Sequence, residues 1–124
     1  MEFRNLFAYQ KAFTLAMEIF EISRGFPSEE KYALTDQIRR SSRSVCANLA
    51  EAYRKRIYPN HFISKLTDSD AENSETQVWL EFAQKCGYLS EDLFMSLETR
   101  NMEVGKLLQY MMKNPEKFGA GNTK

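Results

Sequence analysis

Apolar residues recur at alternating steps of three and four through four long stretches of this chain. That spacing places apolar side chains along one face of an α-helix. The first series consists of Leu6, Tyr9, Phe13, Ala16 and Phe20. Short segments with glycine or proline separate the stretches, at Gly25-Phe26-Pro27, Tyr58-Pro59 and Gly87. Because short turns join helices that are adjacent and antiparallel, the pattern predicts an all-α fold, an antiparallel up-down-up-down four-helix bundle.

The same signals predict where the helices begin and end. We expect helices over residues 5–24, 35–54, 61–86 and 90–113, and a helical turn over residues 28–34. Asn60 is the predicted N-cap of the third helix and Ser90 that of the fourth, since short polar side chains accept hydrogen bonds from a helix's first N–H groups. The bundle is expected to span residues 1–113. The polar, glycine-containing residues 114–124 are expected to form a flexible C-terminal tail.

Composition limits the kinds of partner. The chain has 124 residues, which is one domain by length, and its 17 basic and 17 acidic residues give zero net charge. Overall charge therefore provides no attraction to nucleic acid or to an anionic membrane. The N-terminus lacks the pattern of a secretory signal, and no stretch is apolar enough for a membrane span. With Cys46 and Cys86 as expected free thiols, we expect a cytoplasmic protein without a membrane partner.

Few residues could support catalysis or bind a metal. The chain has one histidine, His61, which cannot supply the paired Glu-x-x-His motifs of a di-iron bundle. Five acidic residues lie between residues 67 and 81, but no glycine turn of a calcium loop accompanies them. There is no phosphate-binding glycine loop and no nucleophile elbow. We therefore expect a non-enzyme with no catalytic residue, cofactor or metal site.

Basic residues are concentrated on the second helix. They are Arg39, Arg40, Arg43, Arg54, Lys55 and Arg56. One interpretation is a nucleic-acid surface, since arginine binds phosphate through two hydrogen bonds. The other is that the three arginines of the 39–43 segment pair with Glu72 or Glu75 of the antiparallel third helix, within one subunit or across an interface. The cluster at residues 54–56 has no such partner in the sequence, although cations also suit the negative end of a helix dipole.

A line of polar residues follows one side of the same helix. It contains Gln37, Arg40, Ser44, Asn48 and Glu51. Glutamine, serine and asparagine are not the long charged residues that usually cover a solvated helix face. Together with Ser69, Asn73 and Thr76 of the third helix, they indicate a hydrogen-bonded layer at a helix or subunit interface. A plain solvent-exposed surface is the alternative.

Several segments resemble the intervening-sequence four-helix-bundle proteins, a bacterial family of which some members are encoded within insertions in large-subunit ribosomal RNA genes. The matching segments are Phe26-Pro27, Glu30-x-Tyr32-x-Leu34-x-x-Gln37-x-Arg39-Arg40, Ser44-Val45-x-x-Asn48-Leu49-Ala50-Glu51, Glu75-Thr76-Gln77-x-Trp79-Leu80-x-Phe82-Ala83 and Gly87-Tyr88. The resemblance implies an antiparallel four-helix bundle, a ring-shaped homopentamer and no enzymatic activity. It also makes Gln37, Ser44, Asn48 and Glu51 part of a structural signature.

A related accessory protein of diversity-generating retroelements binds nucleic acid and a reverse transcriptase through a basic surface. By this resemblance, the six cations of the second helix become candidate nucleic-acid contacts. We therefore expect a homo-oligomer, a pentamer, that binds RNA or DNA through a basic surface. The alternative function is a structural or protein-protein interaction module that binds another protein and no nucleic acid.

Overall fold

The computed structural model describes residues 2–121, and four long helices dominate them. These are α1 (Phe7–Ser23), α2 (Asp36–Arg54), α3 (Pro59–Lys85) and α4 (Glu91–Lys113). Short 3-10 helices cover Phe3–Asn5, Ser28–Glu30 and Pro115–Phe118, and one π-helical turn covers Lys31–Thr35. No strand occurs in the described part of the chain. The prediction of an all-α four-helix fold is confirmed.

Pairs of residues in contact show how neighbouring helices run. Between α2 and α3, the hydroxyls of Ser41 and Thr76 lie 2.8 Å apart, and Ser69 donates to the carbonyl oxygen of Val45. Ser41 contacts Thr76, and the later residue Val45 contacts the earlier residue Ser69, so α2 and α3 run antiparallel. The ion pairs Lys11–Glu103 and Arg100–Glu18 show the same antiparallel relation between α1 and α4.

Of the two predicted N-caps, the one for α4 agrees with the structure and the one for α3 does not. Ser90 caps α4 as predicted, since its Oγ accepts a hydrogen bond from the N–H of Leu93 at 3.2 Å. The prediction that Asn60 caps α3 was wrong, because the helix begins earlier, at Pro59. Proline suits the first helical position: its fixed φ is helical, and a first-turn N–H would have no partner within the helix. Tyr58 precedes it with extended backbone (φ −117°, ψ 94°).

The core consists of two apolar clusters separated by a polar layer. One cluster lies toward the chain termini and the turn between α2 and α3, and it includes Leu49, Phe62 and Leu108. The other lies toward the opposite end and includes Ile19 and Ile38. The buried side chains between them are polar, namely Ser41, Ser42, Ser69, Asn73, Thr76 and Asn101. Hydrogen bonds across this layer join α2 to α3 and α3 to α4.

The first part of the expected C-terminal tail contacts the bundle. After the 3-10 helix at Pro115–Phe118, Gly119 takes a left-handed backbone (φ 88°) and turns the chain back toward the bundle. Ala120 is buried in the cluster near the termini, and the N–H of Gly121 donates to the carbonyl oxygen of Arg56. Residues up to Gly121 therefore pack on the bundle because a glycine permits the reversal. The rest of the expected tail, residues 122–124, lies outside the described residues.

A tyrosine joins the two connections at the other end of the bundle. The hydroxyl of Tyr88, after α3, donates to a carboxylate oxygen of Glu30 at 2.8 Å. The same ring packs against Phe26, with ring centroids 5.7 Å apart. The connection between α1 and α2 is thus fixed to the connection between α3 and α4. Within residues 2–121, no helix is long and apolar enough to cross a lipid bilayer.

Candidate nucleic-acid interface

The six candidate cations lie on α2 or, for Lys55 and Arg56, directly after its end, and they have different environments. Arg40 faces α3, where its guanidinium lies 2.5 Å from Glu75 and 3.3 Å from Glu72. The hydrogen bond from Arg40 lowers the pKa of the Glu75 carboxyl, and the bonds to Glu75 and Glu72 raise the pKa of Arg40. The interpretation that this arginine pairs with the third helix is therefore confirmed.

Arg39 faces α1 instead. Its Nε donates to the hydroxyl of Ser23 at 2.8 Å, and its Nη2 donates to the carbonyl oxygen of Phe20 at 3.3 Å. The guanidinium also lies over the Phe20 ring, 4.6 Å from its centroid. These contacts satisfy a carbonyl oxygen in the last turn of α1, where the helix offers it few partners. This arginine therefore connects two helices and does not pair with Glu72 or Glu75.

Arg43, Arg54 and Lys55 are the exposed members of the set that have no ion-pair partner among residues 2–121. The guanidinium of Arg43 lies 5.6 Å from the centroid of the Phe20 ring. Arg43 and Arg54 are eleven residues apart, which is about three turns, so both lie on one face of α2, roughly 16 Å apart. These three cations are free to contact an anion.

Arg56 was predicted as part of the same basic cluster, but its side chain makes internal contacts. Its Nε donates to the carbonyl oxygen of Tyr53 at 2.8 Å, and its Nη1 donates to that of Phe118 at 3.2 Å. The guanidinium also lies over the Tyr53 ring, 3.6 Å from the centroid. Arg56 therefore holds the C-terminal segment against the bundle.

The predicted structural signature lies beside the contact between α2 and α3. Asn48 donates from its side chain to the carbonyl oxygen of Ser44 at 2.9 Å, one turn earlier in the same helix. Glu51 pairs with Lys65 of α3 at 3.6 Å, and Gln37 is half-buried. None of these residues joins the buried polar layer described above. Whether they contact a second subunit stays a prediction.

The buried layer itself was only partly visible in the sequence. Ser69, Asn73 and Thr76 were identified from the polar middle of α3, but Asn101 of α4 was missed. Its signal is a gap in the apolar series, because Asn101 occupies the core position between Leu97 and Val104. Both asparagines are buried, and each donates to the backbone oxygen of the other.

An apolar groove between α1 and α2 adjoins Arg43. Phe13 and Met17 are 49% and 48% exposed, which leaves large apolar surface in solvent. Across the groove lie the small side chains of Ala47 and Ala50, and the cavity between the helices measures about 370 Å³. Exposed apolar surface of this kind is typical of an interaction site.

The thiols and the histidine lie apart from one another. Cys46 is buried, and burial raises the pKa of its thiol to about 11, which disfavours the reactive thiolate. Cys86 is exposed at the end of α3, and His61 is exposed at the start of that helix. No cluster of three or more potential metal ligands occurs in the part of the chain that the structure describes.

Comparison with known proteins places this geometry in context. A family model described as 23S rRNA-intervening sequence protein matches residues 4–110. A crystal structure of a protein of unknown function from the S23 ribosomal protein family of Bacteroides thetaiotaomicron is 29% identical and has a TM-score of 0.77. The alignment covers 86% of this chain and 95% of that one. None of the curated proteins compared with this chain matches it.

Proposed function

This chain belongs to the 23S rRNA-intervening sequence protein family, and we propose that it is a cytoplasmic, non-enzymatic homo-oligomer that binds RNA or DNA through exposed cations of α2 and its C-cap. The resemblance drawn from the sequence is thus confirmed at the level of the family. Neither the family's description nor that of the similar crystal structure names a reaction. The nucleic-acid part of the proposal concerns three cations that have no ion-pair partner within residues 2–121.

The observation that carries the proposal is the division of the six candidate cations into two groups. Arg39, Arg40 and Arg56 make hydrogen bonds inside the chain, so these contacts explain their presence. Arg43, Arg54 and Lys55 make no ion pair among residues 2–121 and remain exposed. Because nucleic-acid affinity comes largely from cations that neutralise phosphates, these three side chains are the proposed contacts.

Self-association is the second part of the proposal, and the groove between α1 and α2 supports it. Phe13 and Met17 are half-exposed there. A second apolar strip, Val78 and Phe82 of α3, is 45% and 55% exposed and lies one turn apart along that helix. Two different apolar faces suit a head-to-tail contact, which closes into a ring when the rotation allows. A homopentamer is the assembly that we propose.

Salt-dependent binding to a labelled RNA strand of about 12 nucleotides tests the nucleic-acid proposal. The variant Arg43→Ala/Arg54→Ala/Lys55→Ala should bind more weakly, and its log–log salt slope should be smaller by roughly 2. The control Arg24→Ala/Lys31→Ala/Lys85→Ala removes three exposed cations at the opposite end of the bundle and should bind as the unmodified protein does. Equal losses in both variants would reject this surface as the contact site.

Light scattering tests the assembly. Met17→Glu places a charge in the exposed apolar groove and should lower the oligomeric mass while helix content stays unchanged. Thr99→Glu, at an exposed position on α4, should leave the mass unchanged. A monomeric unmodified protein at micromolar concentration would contradict the proposal.

The competing function is a structural or protein-interaction module without nucleic-acid binding. The observation that favours it is the extent of exposed apolar surface on a chain with zero net charge. Under this function, the unmodified protein shows no salt-dependent RNA binding. It still assembles, and it binds a partner protein through apolar surface that the assembly leaves exposed.

A further inference from the structure

The turn between α2 and α3 combines exposed aromatic surface with unpaired positive charge. Ile57 and Tyr58 are both 59% exposed. The ring of Tyr58 lies near that of His61, with centroids 5.5 Å apart. The aromatic pairs Phe26–Tyr88 and Phe3–Tyr9 differ, because each contains rings that pack on a core cluster. The exposure of Tyr58 therefore has no explanation in the packing of the bundle.

The backbone holds Tyr58 in this position. The residue before a proline is restricted to extended torsions, and Pro59 imposes that restriction here. The N–H of Tyr58 donates to the carbonyl oxygen of Lys55 at 2.9 Å, and its own carbonyl accepts from the N–H groups of His61 and Phe62. The neighbouring Arg56 is fixed to the C-terminal segment. The ring is thus presented from an ordered turn, which lowers the entropic cost of binding a partner.

The chain segment on either side of this ring carries charge of one sign. Residues 54–61 contain three cations and no carboxylate. Glu51, one turn earlier, is paired with Lys65. Arg54 and Lys55 are exposed and have no ion-pair partner within residues 2–121. A ligand that reaches the Tyr58 ring therefore meets two cations that are free to bind its anionic groups.

We propose that this turn is a stacking site for single-stranded nucleic acid, in which Tyr58 stacks on a base and Arg54 and Lys55 contact the flanking phosphates. The inference rests on the proposed function and names its substrate class. Aromatic rings on a basic surface bind successive bases of a single strand with little sequence preference. In a duplex the bases are stacked on one another, so the Tyr58 ring has no free base to contact.

The test compares a labelled oligouridylate of about 12 nucleotides with a mixed-sequence RNA duplex of equal length, by fluorescence anisotropy at several salt concentrations. Tyr58→Ala should weaken binding of the single strand by about 5- to 150-fold, which is the effect expected for loss of one stacked base. Binding of the duplex should change less than about twofold, and the salt slope should stay the same because no charge is removed. Tyr58→Phe keeps the ring and should bind normally.

Tyr32 provides the matched control. It is 73% exposed at the opposite end of the bundle, and Lys31 lies 5.3 Å from its ring centroid, but the acidic Glu29 and Glu30 precede it. Tyr32→Ala should leave binding of both RNAs unchanged. Circular dichroism of each variant confirms that the helices are intact.

The possible outcomes separate the two proposals. If Arg54→Ala/Lys55→Ala weakens binding and Tyr58→Ala does not, the stacking site is overturned and the proposed function stands. If Tyr58→Ala weakens single strand and duplex equally, stacking is also overturned. If the unmodified protein binds neither of these RNAs nor a DNA single strand of the same length, the proposed function fails and the stacking site with it.

Discussion

Asn73 of α3 and Asn101 of α4 bind each other's main chain. The side-chain amide of each donates to the backbone oxygen of the other, and both distances are 3.0 Å. The two residues are buried between the apolar clusters of the bundle. A reciprocal pair of this kind fixes two helices to one alignment, because both hydrogen bonds are lost together when either helix slides.

Replacing Asn101 should therefore destabilise the protein. Asn101→Ala removes the hydrogen bond that its amide donates to the Asn73 carbonyl oxygen, and the net contribution of such a bond is typically about 0.5–1.5 kcal/mol. Urea unfolding measures the change in the free energy of unfolding. Ser96→Ala, at an exposed position of the same helix, should stay within about 0.5 kcal/mol of the unmodified protein. Equal stability of Asn101→Ala and the unmodified protein would show that water replaces the lost bond.

Gly105 should respond to alanine in opposite ways in two backgrounds. A Cβ atom at this position would lie 3.1 Å from the Asn73 amide nitrogen, which its hydrogen bond to Asn101 holds in place. Gly105→Ala should therefore destabilise the protein, although alanine within a helix is ordinarily better than glycine by about 1 kcal/mol.

In an Asn73→Ala background the crowding is gone. There Gly105→Ala should stabilise the protein by about 1 kcal/mol. The double-mutant cycle in urea measures this coupling directly. The same change in both backgrounds would mean that the asparagine moves aside at no cost.

Arg56→Ala should release the C-terminal segment. The side chain donates to the carbonyl oxygen of Phe118, and a hydrogen bond from a charged group contributes about 1.5–3 kcal/mol. Its loss should raise the population of locally open chain by roughly tenfold or more. Trypsin cleavage after Lys117, followed by mass spectrometry, measures that population. Arg54→Ala removes a nearby exposed cation and should leave the cleavage rate unchanged.

The bond between Tyr88 and Glu30 should make stability depend on alkaline pH. The hydrogen bond to the Glu30 carboxylate raises the pKa of Tyr88 from 10.0 to about 12. The folded state therefore keeps the phenol proton to higher pH than the unfolded state does. The stabilisation is complete below about pH 10 and is lost as the pH rises toward about 12.

Comparison with Tyr88→Phe isolates this effect from that of the other tyrosines. The difference in unfolding free energy between the unmodified protein and the variant should be largest near neutral pH and should shrink above about pH 10. Urea unfolding at several pH values gives that difference. A difference that stays constant across this range would show that the bond does not persist in solution.

Periodicity and turn residues were enough to predict the four helices and the Ser90 cap, because both depend on local sequence. Local sequence did not predict which residues each arginine side chain contacts. Arg39 and Arg40 are adjacent, yet they are about 100° apart around α2, so one faces α1 and the other faces α3. Which neighbouring helix lies on which side depends on the packing of the whole bundle.

The buried amides illustrate the same limit. A single polar residue in an apolar series can lie at the edge of the core or inside it. Burial inside the core requires a hydrogen-bond partner, which here comes from another helix. Asn101 has that partner in Asn73. The anchoring of Arg56 likewise depends on Phe118, which is 62 residues away. Contacts between residues so far apart along the chain cannot be predicted from the local pattern of a single sequence.

The polar layer also bears on how the chain selects one arrangement during folding. Four amphipathic helices can align in several ways that differ by one helical turn, about 5.4 Å, and an apolar core alone distinguishes these poorly. A shift of that size between α3 and α4 would move Asn73 toward Leu97 or Val104 and would break both hydrogen bonds of the reciprocal pair. The misaligned forms are therefore less stable than the native alignment. A leucine at these positions would favour burial in every alignment, whereas the asparagine pair favours one.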